Sequence, residues 1–139
     1  MINQRGVSVL DLLMTVVIIG VLCMVAMTEY NKVHNRAYVG AALNDMQVLR
    51  QAISMYDAEW GIYPPGPANS VEQLAAQLVD PLGQPYMNRP SSNNFDTFQY
   101  LPPAGDVYGD YSIIIMCKDH WRTQIVVTGN HEVETFRGG

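Results

Sequence analysis

Seventeen consecutive residues, Leu12 to Thr28, contain no Asp, Glu, Lys, Arg or His, while nearly every ionisable side chain lies after them. Carried back to Val7 the stretch is 22 residues, roughly 33 Å of helix at ~1.5 Å per residue against a hydrocarbon core of ~30 Å. It is long enough to span a bilayer, with Asp11 as its one interruption. At 139 residues the chain has material for one further small domain and not for two. A net charge of −5 with eight dispersed Lys and Arg argues against a nucleic-acid-binding face, because a phosphate backbone demands clustered cations. Cys23, inside the apolar run, and Cys117, far along the polar remainder, cannot meet in one molecule if the run lies in lipid.

A short basic leader before an apolar run also describes a cleaved secretory signal, so the possible cleavage sites have to be compared. Cleavage after Ala26 places Met24 where a small side chain is wanted. A lipoprotein site at Cys23 is preceded by Leu22, again not small, and the apolar run exceeds the usual ~7–15 residue signal core. What remains is the boundary Gln4-Arg5-Gly6 followed by Val7-Ser8-Val9-Leu10-Asp11-Leu12-Leu13.

This boundary, a basic leader ending in Gly and then an apolar residue, a small hydroxyl residue and an acid at the fifth following position, resembles the prepilin-type signal of type IV pilins and type II secretion pseudopilins. Gly20 and Tyr30 extend the likeness. The resemblance implies that a prepilin peptidase cuts between Gly6 and Val7 on the cytoplasmic side, that the new first residue is N-methylated, and that the apolar segment stays on the protein. Val7 stands where the family favours Phe, Asp11 where it favours Glu, and Thr28 where many members carry Pro. Without that Pro a helix through Thr28 keeps its backbone donor and need not kink, leaving Gly20 as the one weak point. A carboxylate near the end of a spanning helix is costly enough to want a partner. The resemblance supplies one for Asp11, the free α-amino group at Val7 of a neighbouring subunit; the other reading is that Asp11 reaches headgroups and water. Leu12, Leu13, Val16, Val17 and Gly20 are then expected in the filament core.

Beyond the anchor, Ala42, Met46, Leu49, Ile53, Tyr56 and Trp60 recur at alternating four- and three-residue steps, opposite Asn44, Gln47, Gln51 and Ser54, which predicts an amphipathic helix. Gly61 and Tyr63-Pro64-Pro65-Gly66-Pro67 stop it, so one helix runs from Val7 to Trp60. Asn69 or Ser70 caps a short helix to about Val79, ended by Asp80-Pro81. Strands are expected over Phe98 to Leu101, Tyr111 to Cys117, Gln124 to Thr128 and His131 to Phe136, the last two joined at Gly129-Asn130. The expected fold is α+β and pilin-like: a leader at 1–6, a transmembrane or filament-core half-helix at 7–28, an amphipathic half at 29–60, and a head at 61–139 whose antiparallel sheet packs on the helix.

The order of long helix, Gly61-Ile62-Tyr63-Pro64, short helix and Asp80-Pro81-Leu82-Gly83-Gln84-Pro85-Tyr86 is similar to the major pseudopilin of type II secretion, over roughly residues 6 to 86. That implies a single-pass protein of the bacterial inner membrane with a periplasmic head, moved by an assembly platform into a homo-oligomeric or mixed pseudopilin filament. Calcium is the one cofactor the resemblance raises. Gly105-Asp106-Val107-Tyr108-Gly109-Asp110 loosely echoes a calcium loop, but no ligand set follows from it. Cys117, Asp119, His120 and His131 offer a lone Cys-x-x-His, well short of four-ligand zinc spacing; the simpler reading is a strand residue followed by a polar turn, Lys118 to Arg122. No G-x-S-x-G, G-x-x-x-x-G-K or H-E-x-x-H occurs, so a non-enzymatic role is expected. Cys23 reads as a small apolar side chain, Tyr30 as an interfacial aromatic, and Lys32, His34 and Arg36 as a basic patch near headgroups or facing acids of neighbouring heads. Two other roles stay open, a type IV or minor pilin for adhesion, motility or DNA uptake, and a single-pass binding module that never polymerises.

Overall fold

The computed structural model of the chain describes residues 8–88, 92–104, 109–130 and 133–138. They form a helix α1 (Val9–Trp60), a short helix α2 (Val71–Gln77), a 3-10 turn (Ser92–Asn94) and four strands, β1 (Phe95–Leu101), β2 (Ser112–Cys117), β3 (Gln124–Thr128) and β4 (Val133–Phe136). The strands make one antiparallel sheet in the order β1-β2-β3-β4. The chain is therefore α+β, with the sheet packed on a long N-terminal helix, as the patterning predicts. By internal contacts it divides between His34 and Asn35 into two compact units.

From Val9 to His34 the described part of the first unit is helix. Every residue from Ser8 to His34 is exposed. Helical hydrogen bonding continues through Thr28, whose hydroxyl donates to the Val25 carbonyl at 2.8 Å; with an N–H present there, nothing breaks the ladder.

The second unit has the core. Ala42, Met46, Leu49, Ile53 and Tyr56 are buried, as the stripe requires, joined by Ala52, while Asn44, Gln47, Gln51 and Ser54 face outward. Trp60, expected on the stripe, is instead 46% exposed. It stacks on Tyr56 at 5.9 Å, and one residue later Gly61 turns the chain with φ +67, its N–H donating to the Asp57 carbonyl at 2.7 Å. That left-handed C-terminal cap is a conformation glycine adopts without steric cost. The inner sheet face follows period two: Ile113, Ile115 and Cys117 on β2, Ile125 and Val127 on β3. Each large apolar side chain so enclosed contributes ~1.5–3 kcal/mol relative to exposure.

Three expected boundaries shift for local reasons. Strand β1 starts at Phe95, three residues before the expected Phe98, because a bulge between Phe95 and Thr97 resets the alternation and keeps both phenylalanines inside. Helix α2 is capped by Ser70, which accepts from the Gln73 N–H at 3.2 Å, but it closes at Gln77 rather than Val79. The Asp80 loop draws the chain out of the helix: the Asp80 carboxylate accepts from Leu82 N–H at 2.9 Å and Gln84 N–H at 2.6 Å, Gly83 sits at φ +80, and Tyr86 N–H donates to the Leu78 carbonyl at 3.1 Å. Strand β4 is seen from Val133, His131 and Glu132 lying outside the described residues.

The turn after β2 is built around a buried acid. Asp119 is 4% exposed; its two oxygens accept from the Thr123 N–H at 2.7 Å and hydroxyl at 2.6 Å, and its carbonyl from the Arg122 N–H at 3.0 Å. Asp119→Ala leaves those Thr123 groups without partners and should cost ~1–3 kcal/mol, against ~2–5 kcal/mol for Leu49→Ala, which empties core volume. Urea unfolding of the full chain in micelles measures both; an Asp119→Ala protein as stable as the parent would contradict the assigned role of the carboxylate.

Candidate functional site

The feature of the first unit that demands explanation is its surface. Leu12, Leu13, Val16 and Val17 are each 61–63% exposed, and at about 100° per residue these four and Gly20 share an arc of about 140° on α1. Beyond the helix's own adjacent backbone, no described atom lies within 4 Å of where a Gly20 Cβ would be. The chain itself therefore does not require glycine there. Helix α1 is long and apolar enough to cross a membrane, and none of its most apolar window is buried by the rest of the chain.

Polar side chains at the start of this helix bond to its own backbone. Ser8 accepts from the Leu10 N–H at 3.3 Å, and the Leu12 N–H donates to the Ser8 carbonyl at 3.2 Å. Thr15 folds its hydroxyl onto the carbonyls of Leu12 and Asp11 at 2.8 and 3.1 Å. Asp11 falls in the first turn, where the helix dipole favours a negative charge. At this spacing Ser8, Asp11 and Thr15 line one strip, next to the arc that holds Leu12 to Gly20. Gly6 and Val7, the expected processing residues, lie outside the described residues.

Just past the apolar run, Tyr30 stacks on His34 at 5.7 Å and Lys32 pairs with Glu29 at 2.7 Å, both side chains more than half exposed. That ion pair was not read from the sequence, although the three-residue spacing signals it. An exposed pair contributes little to stability.

In the second unit the ionisable groups serve packing. The Tyr100 hydroxyl, buried, donates to the Pro64 carbonyl at 3.0 Å, and burial raises its pKa. Tyr63 and Tyr111 meet edge to face at 5.0 Å. The Tyr86 hydroxyl donates to the Glu59 carboxylate, and desolvation, with that acceptor and its charge, pushes Tyr86 up to about 12. Cys117 is buried, and burial followed by the nearby Asp119 charge pushes its thiol up to about 11. Of the residues weighed as metal ligands, Asp119 has both oxygens taken by Thr123, His120 belongs to the same turn, and His131 lies outside the described residues. The calcium-loop positions Gly105 to Tyr108 are likewise outside them. Among the described residues no cluster of three or more His, Cys, Asp or Glu could hold a metal ion.

Comparison of the chain with protein-family models, with curated proteins and with solved structures finds no match.

The two thiols give a direct measure of the two environments. In lipid vesicles a membrane-impermeant maleimide at pH 7 should label neither; in urea without lipid both should react. The sign for Cys117 follows from its raised pKa: the folded state holds the proton more tightly, so stability present below the unfolded value of 9.0 falls as pH climbs toward about 11. Cys117→Ala should flatten that part of the alkaline unfolding curve.

Proposed function

We propose that this protein is the structural subunit of a pilin-like filament, a pseudopilin of a type II secretion-like machine. Its leader would be removed between Gly6 and Val7 by a prepilin peptidase, with methylation of the new N-terminus, and its apolar half-helix would be held first in the bacterial inner membrane and then among sister helices. The observation that carries this reading is a single helix whose one half is fully exposed and apolar while the other half is the core of a folded head. Such a surface needs lipid or copies of itself. The residues at Gln4 to Leu13 supply the second support, since a cut before the apolar stretch leaves it in place.

In the filament the exchange of lipid for protein offers little hydrophobic gain, so packing and polar pairing decide register. Leu12, Leu13, Val16 and Val17 would supply the packed face, and Gly20 a point where a neighbouring backbone can approach. Asp11 would pair with the α-amino group of Val7 on the next subunit. In low dielectric such a pair fixes position more than it adds stability, because desolvation offsets much of the attraction. The head would face the periplasm, the inner-membrane assembly platform would supply the work of extraction, and the chain would need no catalytic group, metal or nucleic acid for this role. A type IV pilin would use the same contacts; what favours the secretion reading is the run from Gly61-Ile62-Tyr63-Pro64 to Asp80-Pro81-Leu82-Gly83-Gln84-Pro85-Tyr86.

Mass spectrometry of the mature protein should give an N-terminus at Val7, methylated; a chain starting beyond Thr28 would overturn the proposal. Asp11→Ala should leave insertion and cleavage intact and abolish incorporation, seen as loss of the crosslinked ladder in intact cells. A parent protein that gives no ladder at all would instead be a monomeric membrane-anchored binding module.

A further inference from the structure

In a chain of net charge −5, one region of the second unit runs the other way. Two adjoining depressions, of about 680 and 320 Å³, share Trp121 and Arg137 in their walls; His120 and Arg122 line the larger, Arg36 the smaller. The three arginines come from α1, from the turn after β2 and from the residue after β4, so the sheet-on-helix packing is what gathers them.

Among the described residues the acids Asp96 and Asp119 lie against this set and leave the three arginines in excess. Arg122 faces the Asp96 carboxylate at 3.9 Å with both side chains substantially exposed, an arrangement of small energetic weight. The Arg122 Nε donates to the Met116 sulfur at 3.2 Å, and the residue stands at φ 48, a backbone position uncommon for a side chain of this size and held by the Arg122 N–H donating to Asp119. Asp119, the acid that lines the smaller depression, has both oxygens bonded to Thr123; those neutral donors hold it in the turn and leave its single charge set against three arginines. The Arg137 guanidinium lies 5.4 Å over the Trp121 ring, and Trp121 is 41% exposed. Guanidinium groups beside an exposed indole suit a phosphate oxygen set in a boundary that is wet on one side and apolar on the other.

Chain length says which phosphate is at hand. The His120 N–H donates to the Asn35 side-chain oxygen at 3.2 Å, which pins this turn to a residue seven positions past Thr28. Seven residues span at most ~25 Å fully extended and ~10 Å as helix. A headgroup layer of several ångströms and a Debye length of ~8 Å bring the groove within reach of a charged bilayer surface. Tethered so closely, even a weak phosphate site sees a high local concentration.

We propose that the Arg36, His120, Arg122 and Arg137 groove, with Trp121 at its centre, binds the phosphate of anionic lipid headgroups and so docks the head on the membrane before assembly. The inference rests on the membrane-anchored part of the proposed function and does not need the filament.

The test uses the full chain carrying Trp60→Phe, which leaves Trp121 as its one tryptophan, reconstituted in phosphatidylcholine vesicles with or without phosphatidylglycerol and a headgroup-level spin-label quencher. Quenching of Trp121 should rise with phosphatidylglycerol and fall with added salt. Arg122→Gln and Arg137→Gln should each lower the docked-to-undocked ratio about fivefold, with Cys117 still protected as the sign of a folded head. Quenching indifferent to lipid charge overturns the proposal, as does quenching that follows protein density instead, which would make the groove a contact for the acidic side of a second copy. Maleimide labelling of Cys23 in the same vesicles separates the two levels: a shielded Cys23 without lipid-charge dependence sinks the groove alone, whereas an accessible Cys23 sinks the membrane reading and the groove with it.

Discussion

The stripe from Ala42 to Tyr56 finds its partner inside the molecule, in the inner face formed by Phe98, Tyr100, Ile113, Ile115, Ile125 and Val127. Without the helix that apolar sheet face would lie open to water; the helix supplies the second layer. The same contact fixes where the C-terminal polar turns can lie, since His120 is tied to Asn35 and Asn94 to Asp45, the latter at 2.8 Å. By contrast the turns from Val9 to Val33 carry apolar side chains that stay exposed among the described residues. One continuous helix thus meets two solvation demands, the first answered within the protein and the second only by something outside it.

The apolar run and the three-four stripe could be read from sequence because each is a strong one-dimensional pattern. The run is charge-free over many turns, and the stripe repeats at helical period long enough to outweigh any local preference. Strands β2 and β3 were legible through unbroken β-branched runs, Ile113-Ile114-Ile115 and Ile125-Val126-Val127, although such runs do not say which side chains face inward. What escaped was short-range detail that carries no periodic signature. The bulge at Phe95 breaks alternation where the pattern had to be counted, and Asp80 closes a loop whose partners include Leu78. Asp119 reads as one more polar turn residue, because nothing one-dimensional announces that Thr123 will bond both its oxygens. Trp60 fits the period of the stripe, yet it is the last residue of α1, where Gly61 turns the chain.

Asp11 illustrates how the local and the external readings combine. Within the chain it sits in the first helical turn with Ser8 three residues before it, a position where a carboxylate is favoured by the dipole and near free N–H groups. That setting lowers the cost of carrying the charge into an apolar neighbourhood without consuming its capacity to meet a cation. A helix start that tolerates an acid and a partner that rewards it are therefore compatible, and the shorter Asp side chain stays closer to the backbone groups that favour it than Glu would.

The two rims of the sheet are finished differently. Along β1, Ala68 exchanges backbone hydrogen bonds with Tyr100 at 3.2 and 2.7 Å, so the segment leading into α2 occupies part of that rim, whereas among the described residues no strand pairs with the outer side of β4. Unwanted recruitment of strand by strand thus has one open door instead of two. Two heads that met there would close each other off and stop, a self-limiting pair where a sheet open on both flanks would seed a growing cross-β ribbon. In a chain whose helix already exposes one apolar surface among the described residues, a second adhesive edge that ends with a pair adds less hazard than one that propagates.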